Sequence, residues 1–271
     1  ILNNHPGLAV LEFCFQGPKL KLLGSRTRLV ITGNVFFKIT NSKETFQGIS
    51  NKSYILKKGD IIDIISTVKS NYGYLSVEGG FKIKKEFGSF STLTTSIIGA
   101  NNGYKIKENQ KLFYNLIGKK IYSHINFTND ELTKYIRVIA GPQMNHFFPK
   151  EVKKFFKNPF FISNTLNRMG IRLMGNSCKA IKSHDIPSEG IISGSIQVPG
   201  DGHPIVLMND HPTIGGYPKI AIVILADIEK IAQFPAETSV YFKLISLREA
   251  ELIYKKSIAD FNKKISNIKH S

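Results

Sequence analysis

A chain of 271 residues with 42% hydrophobic content can bury one large core or two smaller ones. Its longest apolar run, Ile220 to Ala226, is far short of the ~20 residues of a spanning helix, so no membrane partner is expected. The formal net charge is +17, yet only six of the 37 basic residues are arginine. The lysines are scattered rather than clustered with aromatics, which reads as a solvated surface with no nucleic-acid partner.

The opening ILNNHPG has neither the basic start nor the apolar stretch of a signal peptide. It also lacks Met, so the chain is expected to be a trimmed piece of a longer one, working in the cytoplasm. Cys14 and Cys178 stand alone and make neither a disulfide framework nor a zinc site, which fits a reducing compartment.

Short apolar segments separated by Gly, Asn, Asp and Pro follow one another along the chain. Strands are expected at 9–15, 28–33, 60–65, 72–80, 135–141, 191–198, 203–209, 219–225 and 239–245. That spacing predicts a mainly β fold of barrels or sandwiches rather than βαβ units. Between 104 and 134 the chain turns polar and weakly periodic. The division expected there is a β domain over 1–115 and a β-barrel domain with a terminal helix over 116–271. Helices look peripheral, at 149–156 and at 227–234, the latter opening on Asp227 as N-cap. The last begins with Ser246-x-x-Glu249, a capping box. Its apolar positions Leu247, Ala250, Tyr254, Ile258, Phe261, Ile265 and Ile268 step by three and four, predicting one buried stripe.

The motifs of self-contained chemistry are missing. No G-x-x-x-x-G-K-[ST] loop and no strand–G-x-G-x-x-G–helix unit occurs, so no ATP site is readable in this chain. G-x-S-x-G is absent as well. Asp201, His203, Asp210 and His211 lie near one another, but without the spacing of a metal motif, and no metal is expected.

Four glycine-rich polar stretches crowd the second half: AGPQ (140–143), NRMGIRLMG (167–175), the run 186–210, and NDHPTIGGYPKI (209–220). Glycines let backbone amides approach a ligand, and together the stretches predict one shared pocket at the mouth of a barrel. Glu189, Gln197 and Asp210 bring carboxylate and amide groups to strand ends, which suits a small molecule with amide and carboxylate functions. Two of the six arginines, Arg168 and Arg172, fall in one stretch. Where lysine is the default cation, a planar fork suggests a bound carboxylate or phosphate, or equally a structural ion pair.

At these residues the chain resembles the allophanate hydrolase subunit 2, or biotin-dependent carboxyltransferase-like, family. The resemblance is carried by NHPGLAVLEFCFQGPKL, YGYLSVEGGF followed by GSFST, IRVIAGPQ, NRMGIRLMG, the long run from Ser188 to Gln233, and the late EA. It implies cyclophilin-like β-barrel domains. It also implies a role in a 5-oxoprolinase complex that hydrolyses ATP to open 5-oxo-L-proline to L-glutamate. The implied companions are a subunit-1-type partner (the B component) and a lactam-utilisation protein (the A component). ATP would then be bound at the level of the complex. On that reading Asp210 and Glu189 handle protons, and Arg168 or Arg172 holds the substrate carboxylate or a phosphate. Gln197, Gln143, Thr213, Gly215, Gly216 and Tyr217 complete the substrate-binding set.

The chain departs from the family pattern at Phe90, where Arg is usual in Gly-Ser-x-Ser-Thr, and at Gly103-Tyr104, where a Gly-Arg pair is usual. Its turn reads Pro212-Thr213-Ile214 before the paired glycines, and the family's Gly-Ala-Met-Asp opening would lie upstream of Ile1. Two other functions follow from the same resemblance. One is a carboxyltransferase half acting on a urea-like amide, with biotin carried by another chain because no Met-Lys-Met site occurs here. The other is a non-catalytic antagonist of a kinase inhibitor.

Overall fold

The computed structural model describes residues 1–116, 123–125, 133–181 and 183–270. Two compact units are present, one formed by Ile1–Thr128 with Lys264–Ser271, the other by Asn129–Lys263. Part of the boundary region expected at 104–134 lies outside the described residues, at 117–122 and 126–132.

The first unit is built on eight strands: β1 (Leu11–Cys14), β2 (Lys19–Lys21), β3 (Thr27–Thr32), β4 (Val35–Thr40), β5 (Thr45–Gln47), β6 (Ser53–Leu56), β7 (Ile61–Thr67) and β8 (Tyr72–Val77). They form two four-stranded antiparallel sheets, ordered β1-β8-β3-β6 and β2-β7-β4-β5. Period-two alternation sends Val35, Phe37 and Ile39 of β4, Ile62 and Ile64 of β7, and Leu75 and Val77 of β8 into one core. The sequence reading stopped at Gly33 and missed β4, because Phe36 interrupts the apolar–polar alternation. Arg28 and Glu78 are buried in this unit as an ion pair at 3.1 Å, and the same Nη2 donates to the Leu2 carbonyl at 3.0 Å.

The second unit contains β9 (Tyr135–Ala140), α1 (Pro149–Lys157), β10 (Phe160–Leu166), β11 (Gly170–Met174), β12 (Glu189–Gly190), β13 (Ser195–Gln197), β14 (Ile205–Leu207), β15 (Ile214–Gly215), β16 (Lys219–Val223), α2 (Leu225–Ala232), β17 (Ser239–Leu244) and, up to Lys263, α3 (Leu247–Ser266). Seven of its strands close a barrel in the order β9-β16-β13-β14-β11-β10-β17. The parallel pairing of β9 with β17, from Tyr135 opposite Tyr241 to Val138 opposite Leu244, shuts it. Ile136, Val138, Ile162, Ile171, Leu173, Ile196, Val206, Ala221, Val223, Val240 and Phe242 belong to its fully buried core. Phe155 of α1 is fully buried too, stacked on Phe242 at 5.0 Å and tilted against Phe160 at 5.2 Å. Burial of such a ring contributes about 2 kcal/mol.

Two sequence expectations about helices are corrected. Asp227 does not cap α2, which starts two residues earlier with Ile224 in the cap position. Its carboxylate is instead buried and accepts from Arg137 N, Nε and Nη2 at 2.8, 2.9 and 2.6 Å, a staple between α2 and β9. That hydrogen-bonded partnership pushes the Arg137 guanidinium pKa up. The capping box of α3 forms as read: Ser246 N and Oγ donate to Glu249 Oε2 at 2.8 Å, and Glu249 N returns to Ser246 Oγ at 3.2 Å. The stripe of α3, however, is not buried. Ala250 alone of these helical positions is covered, while Leu247, Tyr254, Ile258, Phe261 and Ile265 are exposed. Among the described residues no helix is long and apolar enough to cross a membrane.

Candidate functional site

The stretch 167–175, expected as one glycine-rich loop, is a turn at Asn167–Met169 followed by β11. Arg172 therefore sits on a barrel strand. Its register partner Ile205 also pairs with Gln197, which in turn pairs with Lys219 across a bulge. Ile171, Ile196 and Val206 occupy the alternate, interior positions, so this row stands on the outer face of the barrel wall. Gln197 closes β13 and Lys219 opens β16, so this part of the row lies at strand ends.

Two covers shelter that row. The first is the turn after β9. Gly141 N donates to Ile220 O at 3.1 Å and Gln143 N to Lys219 O at 3.3 Å. A Cβ on Gly141 would come 2.2 Å from Lys219 O and 2.7 Å from Ala221 N, so only glycine lets the turn lie this close to β16. The second cover is the ribbon of β12 with β15, Glu189 opposite Gly215. Ile186 N to Gly216 O at 2.8 Å and Ile191 N to Thr213 O at 3.2 Å extend it. Thus the compact turn at 209–220 is one side of a ribbon folded back on the barrel.

Under these covers Gln143, Glu189, Gln197, Gly215 and Lys219 come together. Lys219 is buried, and its ammonium donates to Glu189 Oε1. Gln143 Nε2 donates to the same oxygen at 2.7 Å, and its Oε1 accepts from Lys219 N at 3.2 Å. Glu189 keeps 42% of its side chain exposed. The Lys219 hydrogen bond, then that of Gln143, hold its carboxyl below the usual carboxylate range, helped by the nearby His146.

Gln197 is only 6% exposed, and its Nε2 has no hydrogen-bond partner among the described residues. A Cβ on Gly215 would lie 2.5 Å from that nitrogen, so only glycine lets the ribbon lie this close to Gln197. A buried amide donor left unpaired costs about 1–3 kcal/mol, which a ligand acceptor would recover. The cluster therefore offers an acceptor at Glu189, a donor at Gln197 and a cation at Lys219 around one glycine.

The remaining expected residues take other positions. Arg168 Nε and Nη2 grip Asp210 Oδ2 and Oδ1 at 2.8 and 3.0 Å, and Asp210 N donates to Arg168 O at 2.8 Å. This fork clamps the β10–β11 turn to the segment after β14 and occupies both carboxylate oxygens of Asp210. Arg172 pairs with Asp201, whose Oδ1 also accepts from His203 N at 3.0 Å. The two arginines thus make structural pairs. Thr213 and Tyr217 are exposed, on either side of Gly215–Gly216. In the first unit, Lys85 Nζ lies 4.9 Å from the Phe90 ring centroid, which brings a cation to the position where the family carries Arg.

Sequence reasoning missed Lys219 and His146. A signal for Lys219 was present: it is a charge opening an otherwise wholly apolar strand. His146 carried none, because its proximity to Glu189 depends on the turn that follows Gln143.

Comparison with known proteins places these features. A family model, carboxyltransferase domain, subdomain A and B, matches residues 1–244. The chain is 36% identical over 180 residues to the 5-oxoprolinase C subunit of Escherichia coli (strain K12), covering 65% of this chain and 57% of that protein. It is 30% identical over 257 residues to the 5-oxoprolinase C subunit of Haemophilus influenzae, covering 95% of this chain and 82% of that protein. The chain thus spans little more than half the length of the first of these relatives. Against the solved urea amidolyase of K. lactis the TM-score is 0.84 at 22% identity, over 95% of this chain and 17% of that one. That likeness shows a shared fold.

Proposed function

The chain belongs to the family of carboxyltransferase domains, subdomains A and B, and from that premise we propose that it is the C-type component of a 5-oxoprolinase complex. In this reading the complex opens the cyclic amide of 5-oxo-L-proline to L-glutamate with hydrolysis of ATP. The observation that carries the reading is the buried Gln197 Nε2, without a hydrogen-bond partner among the described residues, beside the strand pair that sets Glu189 opposite Gly215.

A five-membered lactam is an amide locked cis, so its C=O and N–H face the same edge. Gln197 Nε2 donates to the carbonyl oxygen, and Glu189 accepts the lactam N–H. Water attack at the carbonyl carbon builds negative charge on that oxygen, which the Lys219 ammonium stabilises. ATP, bound at a site shared with the companion proteins, would supply activation by placing its terminal phosphoryl group on the carbonyl oxygen, with ADP leaving and phosphate released once the ring has opened. Glu189, held by Lys219 and Gln143, takes a proton from the attacking water and hands it to the leaving nitrogen as the C–N bond breaks. Arg168 and Asp210 shape the loop that frames the pocket. The companions are a subunit-1-type partner (the B component) and a lactam-utilisation protein (the A component).

A second reading keeps the same pocket. Urea also presents a carbonyl oxygen beside N–H groups, and a relative named urea amidolyase, from Lachancea kluyveri, matches 92% of this chain at 27% identity. Biotin on another chain would then deliver the carboxyl group. The test is 5-oxoproline-dependent ATP hydrolysis by the chain co-expressed with its companions. Gln197→Ala is expected to lower kcat/KM about 100–1,000-fold, the cost of one lost donor to a reacting oxygen, with the fold retained. Carboxyl transfer to urea without 5-oxoproline turnover would establish the second reading, and unchanged activity in Gln197→Ala would refute both assignments of the pocket.

A further inference from the structure

One group of the proposed substrate still needs a holder. 5-Oxo-L-proline carries a carboxylate on the ring carbon bonded to the lactam nitrogen. With the carbonyl oxygen at Gln197 and the N–H at Glu189, that carboxylate falls on the Glu189 side of the pocket. Two carboxylates so close repel unless a cationic donor stands with them. The arginines that residue type suggested are engaged elsewhere, Arg168 with Asp210 and Arg172 with Asp201. Lys219 already donates to Glu189.

Backbone geometry sets His146 beside that carboxylate. After Gly141 the chain closes into a 3₁₀ turn over Met144–His146. Met144 N donates to Gly141 O at 3.1 Å, and His146 N to Gln143 O at 2.9 Å. Side chains three residues apart eclipse in such a turn, so His146 and Gln143 project from one face of it. Gln143 Nε2 in turn holds Glu189 Oε1 at 2.7 Å. The far side of the turn is fixed as well: Ile181 N donates to His146 O at 2.7 Å, and the buried Phe147 bridges to Ala180. The backbone of His146 is thus pinned while its side chain stays exposed. Its charge reaches Glu189, whose carboxyl it helps to hold below the usual range.

We propose that His146 receives the substrate carboxylate and thereby selects 5-oxo-L-proline over a neutral amide such as urea. This rests on the reading of the pocket as a lactam site. An imidazole N–H donates to a carboxylate in either protonation state, and the imidazolium form also offsets its charge. Urea brings no second negative charge to Glu189 and gains no ion pair from this residue.

The test uses the chain co-expressed with its companions and follows 5-oxoproline-dependent ATP hydrolysis. The competitor is 2-pyrrolidinone, the same lactam without the carboxylate. His146→Ala and His146→Lys change an exposed side chain and leave the backbone hydrogen bonds of the turn, so both are expected to keep the wild-type circular dichroism. In His146→Ala the KM for 5-oxoproline is expected to rise about tenfold or more, as for loss of a charge-assisted hydrogen bond, with kcat little changed. His146→Lys restores a cationic donor and should recover most of that loss. The inhibition constant of 2-pyrrolidinone should be the same in wild type and both variants, which a merely structural role would not give. An unchanged KM in His146→Ala, alongside lost turnover in Gln197→Ala, overturns the carboxylate assignment and leaves the lactam site standing. Equal weakening of 5-oxoproline and 2-pyrrolidinone in His146→Ala also overturns the assignment. A wild-type complex that turns over no 5-oxoproline overturns both.

Discussion

Two buried cations show how the units differ. In the first unit, Arg28 and its partner Glu78 are both enclosed, at 3% and 4% side-chain exposure. In the second, Lys219 is as deeply enclosed at 4%, but its partner Glu189 is 42% exposed. A pair closed at both ends can only hold its surroundings together. A pair open at the carboxylate end holds an ionised acceptor in place while leaving it reachable.

The sharpest way to break this comparison is to remove each cation. Arg28→Ala strands Glu78 in the interior and is expected to destabilise the protein by about 3–5 kcal/mol, read by urea unfolding. Lys219→Met leaves Glu189 free to hydrate. It should cost far less stability while removing amide turnover, and equal losses in the two variants would erase the distinction. Next in size is Gly141→Ala, which drives a methyl into the β16 backbone. A loss of about 1–3 kcal/mol is expected, together with a shift of Gln143 away from Glu189.

The smallest effect is a pH dependence. Glu189 has its folded pKa depressed by Lys219 and Gln143. Its contribution to stability is therefore full above the ordinary carboxylate value and is lost as pH falls through the depressed one. Glu189→Gln should flatten that part of the acid limb in melting temperature against pH, and the two curves should converge at the lowest pH. Parallel curves would mean that the carboxylate is not held as described.

Much of the fold was legible. Short apolar segments bounded by Gly, Asn, Asp and Pro located nine strands, and the Ser246–Glu249 box marked the start of α3, because both signals are local. Gly33 and Phe36 hid β4, and the glycines of 167–175 hid β11, since a glycine at a strand entrance reads like a turn. The candidate site was half legible. Glu189 and Gln197, read from residue type, and Gln143 and Gly215, implied by the family resemblance, do converge, whereas Arg168, Arg172 and Asp210, grouped with them by their place in the glycine-rich stretches, lie in other pairs. Neighbourhood failed because an arginine fork satisfies whichever carboxylate the strand register brings to it.

The chain's own residues dictated the alternating strands, the capped terminal helix and the density of glycines where backbone had to approach backbone. Tertiary structure alone decided that seven strands would close into one barrel, that Lys219 would face Glu189, and that the α3 stripe would stay uncovered. The physical reason is range. Alternation and capping act between residues a few positions apart, whereas closure, ion pairing and burial depend on which distant segments share a wall.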